Sequence, residues 1–90
     1  MSEVHDNAAR SRFELVEQGQ IAFADYQRRG DVLIVSHVEA PMALRGTGAA
    51  GRLMEGMLGA IRQRRLKIVP SCAYADAYIR RHPQYEDLRA

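Results

Sequence analysis

A single cysteine, a single lysine and the lack of any long apolar run narrow the field before a motif is read. Cys72 cannot close an intramolecular disulfide on its own, nor build a multi-cysteine metal site. The three histidines, His5, His37 and His82, fall at spacings that suit no zinc site, so no metal ligands are assigned. No apolar run approaches a membrane span. The start, Met1-Ser2-Glu3-Val4-His5-Asp6, has neither the basic head nor the apolar centre of a signal peptide. A cytoplasmic protein with no membrane partner is the expectation. Charge of one sign is scarce too. Thirteen Lys and Arg face eleven Asp and Glu, for a formal charge of +2. Nucleic-acid binding favours a larger cationic stripe with aromatics interleaved, and it is not expected here. The cations form small groups, and Lys67 is the only one that is not arginine. Arginine's planar fork of donors suits a local phosphate.

What is present suffices for one modest core. Ninety residues make a single domain, and an apolar fraction of 47% is too high for disorder. Residues 1–10 read as a flexible tail and 11–90 as the domain. Ser11 to Glu17 is a strand candidate, with Phe13 and Leu15 alternating against Arg12 and Glu14, although Val16 falls on the polar side. Gln18-Gly19-Gln20 is a turn. Along Ile21 to Gln27 neither face is cleanly polar, which predicts a strand covered on both sides. Arg28-Arg29-Gly30-Asp31 is a second turn. Val32 to Val38 is rich in branched residues and is the strongest strand signal. Three strands joined by tight turns predict an antiparallel meander.

The pattern then changes period. From Gly48 to Arg65, Leu53, Met54, Met57, Leu58 and Ile61 recur on one helical stripe. Gly51, Gly56 and Gly59 each weaken such a helix by about 1 kcal/mol relative to alanine, so close approach of a ligand or of the sheet is the expected return. Leu66 to Pro70 is a short strand that ends at Pro70 or lies at an edge. A helix over Ala73 to Arg81 stops before Pro83. Gln84 to Ala90 is short and polar apart from Tyr85 and Leu88. The order predicts an α+β fold: a mixed, mostly antiparallel sheet with two main helices.

The most informative segment is Arg45-Gly46-Thr47-Gly48-Ala49-Ala50-Gly51, at the entry to the long helix. The first amides of a helix lack internal partners and attract an anion. Glycine or alanine at 46, 48, 49, 50 and 51 leaves the approach clear, and Arg45 stands beside it. A flexible loop is the plainer alternative. A P-loop would need Lys followed by Ser or Thr, which are absent. Gly46-Thr47-Gly48-Ala49-Ala50-Gly51 satisfies the dinucleotide string, but it follows antiparallel strands and lacks the later acidic residue.

These residues resemble the GCN5-related N-acetyltransferases. Arg45, Gly48 and Ala50 match that family's pyrophosphate-binding signature. The chain is most similar to its small single-domain subgroup through Leu44 to Gly48, Val69-Pro70-Ser71-Cys72-Ala73-Tyr74 and Tyr78-Ile79-Arg80-Arg81-His82-Pro83-Gln84-Tyr85, a resemblance that spans roughly Phe13 to Leu88. It implies a minimal acyl-coenzyme A-binding fold with the diphosphate on the amides around Leu44, Arg45, Gly46, Thr47, Gly48, Ala49 and Ala50. It also implies a pantetheine arm between the strand before Pro41 and the strand Lys67 to Pro70. The implied activity is transfer of acetyl from acetyl-CoA to a primary amine, on a small molecule or a protein. The alternative is a non-catalytic coenzyme-binding or sensing module. A typical family member is longer, so the acceptor side here is expected to be open.

Cys72 lies between a strand and a helix. It reads either as a small buried hydrophobe or, by the subgroup resemblance, as a catalytic thiol close to the thioester. Tyr74 and Tyr78 share a helix face. Either can pack, or hydrogen-bond to the coenzyme. The family places a proton-donating tyrosine on this helix, and Tyr78 is the better placed of the two. His37 is a candidate base or a satisfied half-buried histidine. His82 caps the last helix or reaches the coenzyme.

Overall fold

The computed structural model describes residues 3–90. Five strands lie in sequence order in one sheet. They are β1 (Val4–Asn7), β2 (Arg12–Glu17), β3 (Gln20–Arg29), β4 (Val32–Glu39) and β5 (Lys67–Pro70). The first four pair antiparallel, and β5 joins β4 in parallel. The crossover that a parallel neighbour requires contains helix α1 (Ala49–Gln63), and helix α2 (Ala73–Arg81) follows β5. The α+β architecture expected from the residue pattern is therefore present.

Local chemistry accounts for the connections. Gln18 and Gly19 both take positive φ, 52° and 72°, and Glu17 pairs with Gln20 across them. A two-residue loop of that hand matches the strand twist. The stripe Leu53, Met54, Met57, Leu58 and Ile61 is wholly buried. At roughly 1.5–3 kcal/mol per buried side chain of this size, the stripe is the largest contribution to docking α1 on the sheet. It meets Phe13 and Leu15 of β2, Leu33 and Val35 of β4, and Ile68 of β5 in one core, to which α2 adds Ala75 and Ile79.

Two expectations fail. The tail predicted over residues 1–10 is structured where it is described; Met1 and Ser2 lie outside the described residues. Val4–Asn7 pairs with Arg12 to Leu15, and a short 3-10 turn, Ala8–Arg10, links the two strands. Only tertiary contacts make this polar stretch a strand. Asp6 accepts hydrogen bonds from the Tyr26 hydroxyl at 2.8 Å and from Arg64 at 2.7 Å. Val4 fills the space over Gly56, where a Cβ would overlap it. Nor is β3 covered on both sides. Ala22 and Ala24 face the core, whereas Ile21 is 42% exposed on the helix-free face.

The C-terminal stretch is also more ordered than its polarity suggests. Pro83–Leu88 forms a 3-10 helix and buries Leu88. Arg89 then bridges to Ile68 along the outer edge of β5, and the Ala90 amide donates to the Ile68 carbonyl at 2.9 Å.

Candidate functional site

The site begins where β4 and β5 part. Their pairing runs from Val32↔Lys67 to Val35↔Pro70 and ends there, while β4 continues to Glu39. Two sequence features cause the parting. Pro70 has no N–H to extend the ladder. The amides of Ser71 and Cys72 both turn back to the Val35 carbonyl, at 2.9 and 3.1 Å, and lead the chain into α2. On the other strand, Tyr26 pairs with Val35 but Asp25 pairs with His37, so Ser36 is an extra residue in β4. Such a bulge bends its strand and increases the twist. Beyond the bulged Ser36, His37 to Glu39 pair with β3 on one side, and from Ser36 on β4 has no strand opposite it on the side of β5.

The small-residue loop lies just beyond the end of β4. Pro41 leads into a 3-10 turn, Met42–Leu44, anchored by the buried Leu44. Gly46 and Gly48 have φ of 81° and 87°, a region that only glycine enters at little cost. Alternate amides are used internally. Arg45 donates to the Met42 carbonyl and Thr47 to the Leu44 carbonyl, both at 3.2 Å. Ala49 donates to the Thr47 hydroxyl at 3.3 Å. The amides of Gly46, Gly48, Ala50 and Gly51 remain available to a ligand. Residues 45 to 48 are exposed, while Ala49 packs into the core. Each remaining donor therefore belongs to glycine or alanine, and the one larger residue inside the run, Thr47, has its amide turned inward. Arg45 donates to the Ala40 carbonyl at 3.2 Å, which holds its guanidinium at the loop.

Sequence reading missed Arg52 and Glu17. Both Glu17 carboxylate oxygens accept from the Arg52 guanidinium, at 2.7 and 2.8 Å, and Arg52 also donates to the Thr47 carbonyl at 3.0 Å. The signal was available. Arg52 stands four residues after Gly48, and on a helix that spacing puts a side chain back over the preceding turn.

Cys72 is half-buried at the start of α2 and packs against the core. Its carbonyl accepts the Asp76 amide at 3.0 Å, the first hydrogen bond of that helix. Tyr78 lies beside the start of α1, where a Cβ on Gly51 would meet its ring carbon at 3.9 Å. Its ring stacks on His82 at 3.9 Å, with Tyr74 and Tyr85 each just over 6 Å away. Burial raises the pKa of the Tyr78 hydroxyl, and the neighbouring Tyr85, Glu55 and Tyr74 add to the effect. Burial likewise raises that of Tyr74, with Arg81 opposing. Both phenols therefore keep their protons at neutral pH. His82 ends α2. Its Nδ1 lies 2.7 Å from the Tyr78 carbonyl, and a carbonyl can only accept, so Nδ1 carries a proton.

His37 projects onto the helix-free face from the part of β4 that pairs with β3 but no longer with β5. Its Nε2 lies 3.0 Å from a Glu39 carboxylate oxygen, and both side chains are about half exposed. The Phe23 ring stands 6.0 Å away. The structure thus gathers the candidates at two places. The loop amides, Arg45, Tyr78 and Gly51 surround the start of α1, and the bulge, His37 and Glu39 line the parted end of β4. No enclosed pocket is present among the described residues. Nor do three or more His, Cys, Asp or Glu side chains converge on a metal position there.

An antiparallel meander, a crossover helix that begins at a glycine-rich bend, and a parallel strand parting from its neighbour define an acetyltransferase-like α+β fold. Residues 12–88 match the family model described as GCN5-related N-acetyl-transferase, and the chain belongs to that family. No curated protein matches it. Among the described residues no helix is long and apolar enough to cross a membrane.

Proposed function

We propose that this protein binds acetyl-CoA and moves its acetyl group to a primary amine. The observation that carries this reading is the set of amides at Gly46, Gly48, Ala50 and Gly51, left without internal acceptors beside a parted pair of strands. A diphosphate fits these donors because the small side chains leave them accessible and the helix start favours negative charge. Arg45 adds a cation, and Leu44, Thr47 and Ala49 hold the loop's shape. The free edge of β4 between Ser36 and Glu39 offers main-chain groups to the amides of a pantetheine arm. Tyr74, 41% exposed on α2, and the unengaged Nε2 of His82 supply outer contacts.

Coenzyme A supplies an activated acyl thioester. The chain's own residues do the rest. His37, oriented by Glu39, accepts the proton of the attacking amine through whichever ring nitrogen is unprotonated. Tyr78, kept in its phenol form by burial, donates the proton that the departing thiolate requires. Cys72 stands where β5 gives way to α2, at the mouth of the parted strands. A second route passes the acetyl group through the Cys72 thiol, and intact-mass measurement after mixing with acetyl-CoA separates the two. Acylation that persists in Cys72→Ala rules out the thiol route.

The open surface favours a second reading, in which the coenzyme binds without turnover. Titration calorimetry with acetyl-CoA and CoA, followed by a thiol-release screen of small amines and lysine peptides, discriminates. Binding with release supports transfer, and binding without release supports the sensing module. No binding up to about millimolar, a free energy of only about −4 kcal/mol, overturns both.

A further inference from the structure

We infer that Arg52, held by Glu17, is a positioning residue that aims the Gly48 amide outward. This rests on the diphosphate reading above and specifies how the loop is kept ready. A trans peptide is planar and directs its C=O and N–H in opposite senses. The Thr47 carbonyl and the Gly48 N–H belong to the same peptide. Arg52 Nη1 takes that carbonyl at 3.0 Å, so the Gly48 N–H points away from the guanidinium. Gly48 is exposed there.

Gly48 alone does not fix this orientation. Its φ of 87° and ψ of 8° are open to glycine, and glycine adopts many other conformations. The remaining restraints come from neighbours. The Thr47 amide and hydroxyl both donate to the Leu44 carbonyl, at 3.2 and 2.6 Å. They anchor one side of the Thr47–Gly48 peptide, and Arg52 fixes the other. Arg52 in turn cannot swing, because Glu17 grips its Nε and Nη2. Glu17 ends β2, so the sheet itself sets the angle of the loop peptide.

A direct phosphate contact by Arg52 is the rival role, and Glu17 distinguishes them by sign. If Arg52 bound phosphate itself, Glu17 would compete with the anion, and Glu17→Gln would tighten CoA. If Arg52 positions the amide, Glu17→Gln releases the guanidinium and weakens CoA. Lysine discriminates again. It keeps the charge but lacks the fork that spans Glu17 and Thr47 together.

The test is CoA affinity by calorimetry on the full chain, with the Gly48 amide followed by NMR. Wild type is expected to bind CoA with a downfield shift of the Gly48 proton. Arg52→Met and Arg52→Lys are expected to weaken CoA alike, by about tenfold, as for loss of one aimed charge-assisted donor. Both are expected to lose most of the Gly48 shift while still folding cooperatively. Glu17→Gln is expected to weaken CoA in the same direction by a smaller factor. Tighter binding by Glu17→Gln, near-wild-type binding by Arg52→Lys, or an unchanged Gly48 shift in Arg52→Met overturns the inference and leaves the diphosphate reading standing. Failure of wild type to bind CoA overturns both.

Discussion

Gly56 and Gly48 lie on the same helix and its entry, yet they give up a side chain for opposite reasons. At Gly56 the missing Cβ admits Val4 of the edge strand, so the protein packs against itself. At Gly48 the missing Cβ leaves an amide exposed, with only the tip of Arg52 nearby. Around Gly56 the polar groups are also paired off, as Asp6 takes both Tyr26 and Arg64. Around Gly48 four amides stay open. A helix-breaking residue thus reports either internal packing or readiness for a ligand, and its surroundings decide which.

The strongest way to break the contrast is to fill Gly48. Gly48→Glu is expected to weaken CoA about a hundredfold or more, because it sets bulk and like charge against at least two charge-assisted hydrogen bonds. Calorimetry reads the loss. Gly48→Ala adds the cost of a left-handed residue with a Cβ, about 1–2 kcal/mol of stability, and also sets that Cβ 3.0 Å from the Arg52 guanidinium. Filling Gly56 should act on stability instead. Gly56→Ala is expected to cost about 1–3 kcal/mol in denaturant unfolding by displacing Val4, with coenzyme affinity little changed. Adding Val4→Gly, which removes the Cβ together with both methyls, should recover part of that cost, and a fully additive pair would refute the contact.

A smaller effect concerns the hydroxyl that secures the same edge. Burial, together with the hydrogen bond to Asp6, pushes the Tyr26 pKa up from 10.0 to about 12. The folded state therefore holds this proton more tightly than the unfolded state. The stabilisation is complete below about pH 10 and is lost as pH rises towards 12. Ultraviolet titration should show one phenol ionising last, and Asp6→Asn should move it down. The smallest change expected is at Gly59, where an added Cβ meets nothing. Gly59→Ala should stabilise the chain by about 0.5–1 kcal/mol, since neither packing nor ligand gains from the glycine. A loss of stability there would show that this helix face is covered by something else.

Elements that carry their own signal were legible in the sequence. The branched run of β4, the five-residue stripe of α1 and the stop of α2 before Pro83 all declare themselves through local sterics and period. β1 did not. It holds one apolar residue, and its reasons for being a strand lie at Leu15, Gly56, Tyr26 and Arg64, far along the chain. The breadth of cover on β3 was misread because Ile21 and Phe23 look like core residues, whereas the smaller Ala22 and Ala24 face the helices. At the site, the small residues at 46, 48 and 50 were legible as a place for an anion. The alternation of engaged and open amides was not, because it depends on where the Leu44 carbonyl and the Thr47 hydroxyl come to rest. Arg52 was overlooked because a charged residue on the polar side of a helix looks like ordinary solvent-facing decoration.

The extra residue at Ser36 has a consequence out of proportion to its size. In an unbroken ladder, a residue two places beyond Val35 would point into the core beside it. With Ser36 inserted, His37 falls opposite Asp25 and Glu39 opposite Phe23 on the bare side of the sheet. Removing that single serine would leave every other side chain on its present face and take away only the bend. An indel one codon long thus sets how far β4 swings past the end of β5, whose length Pro70 fixes on its own.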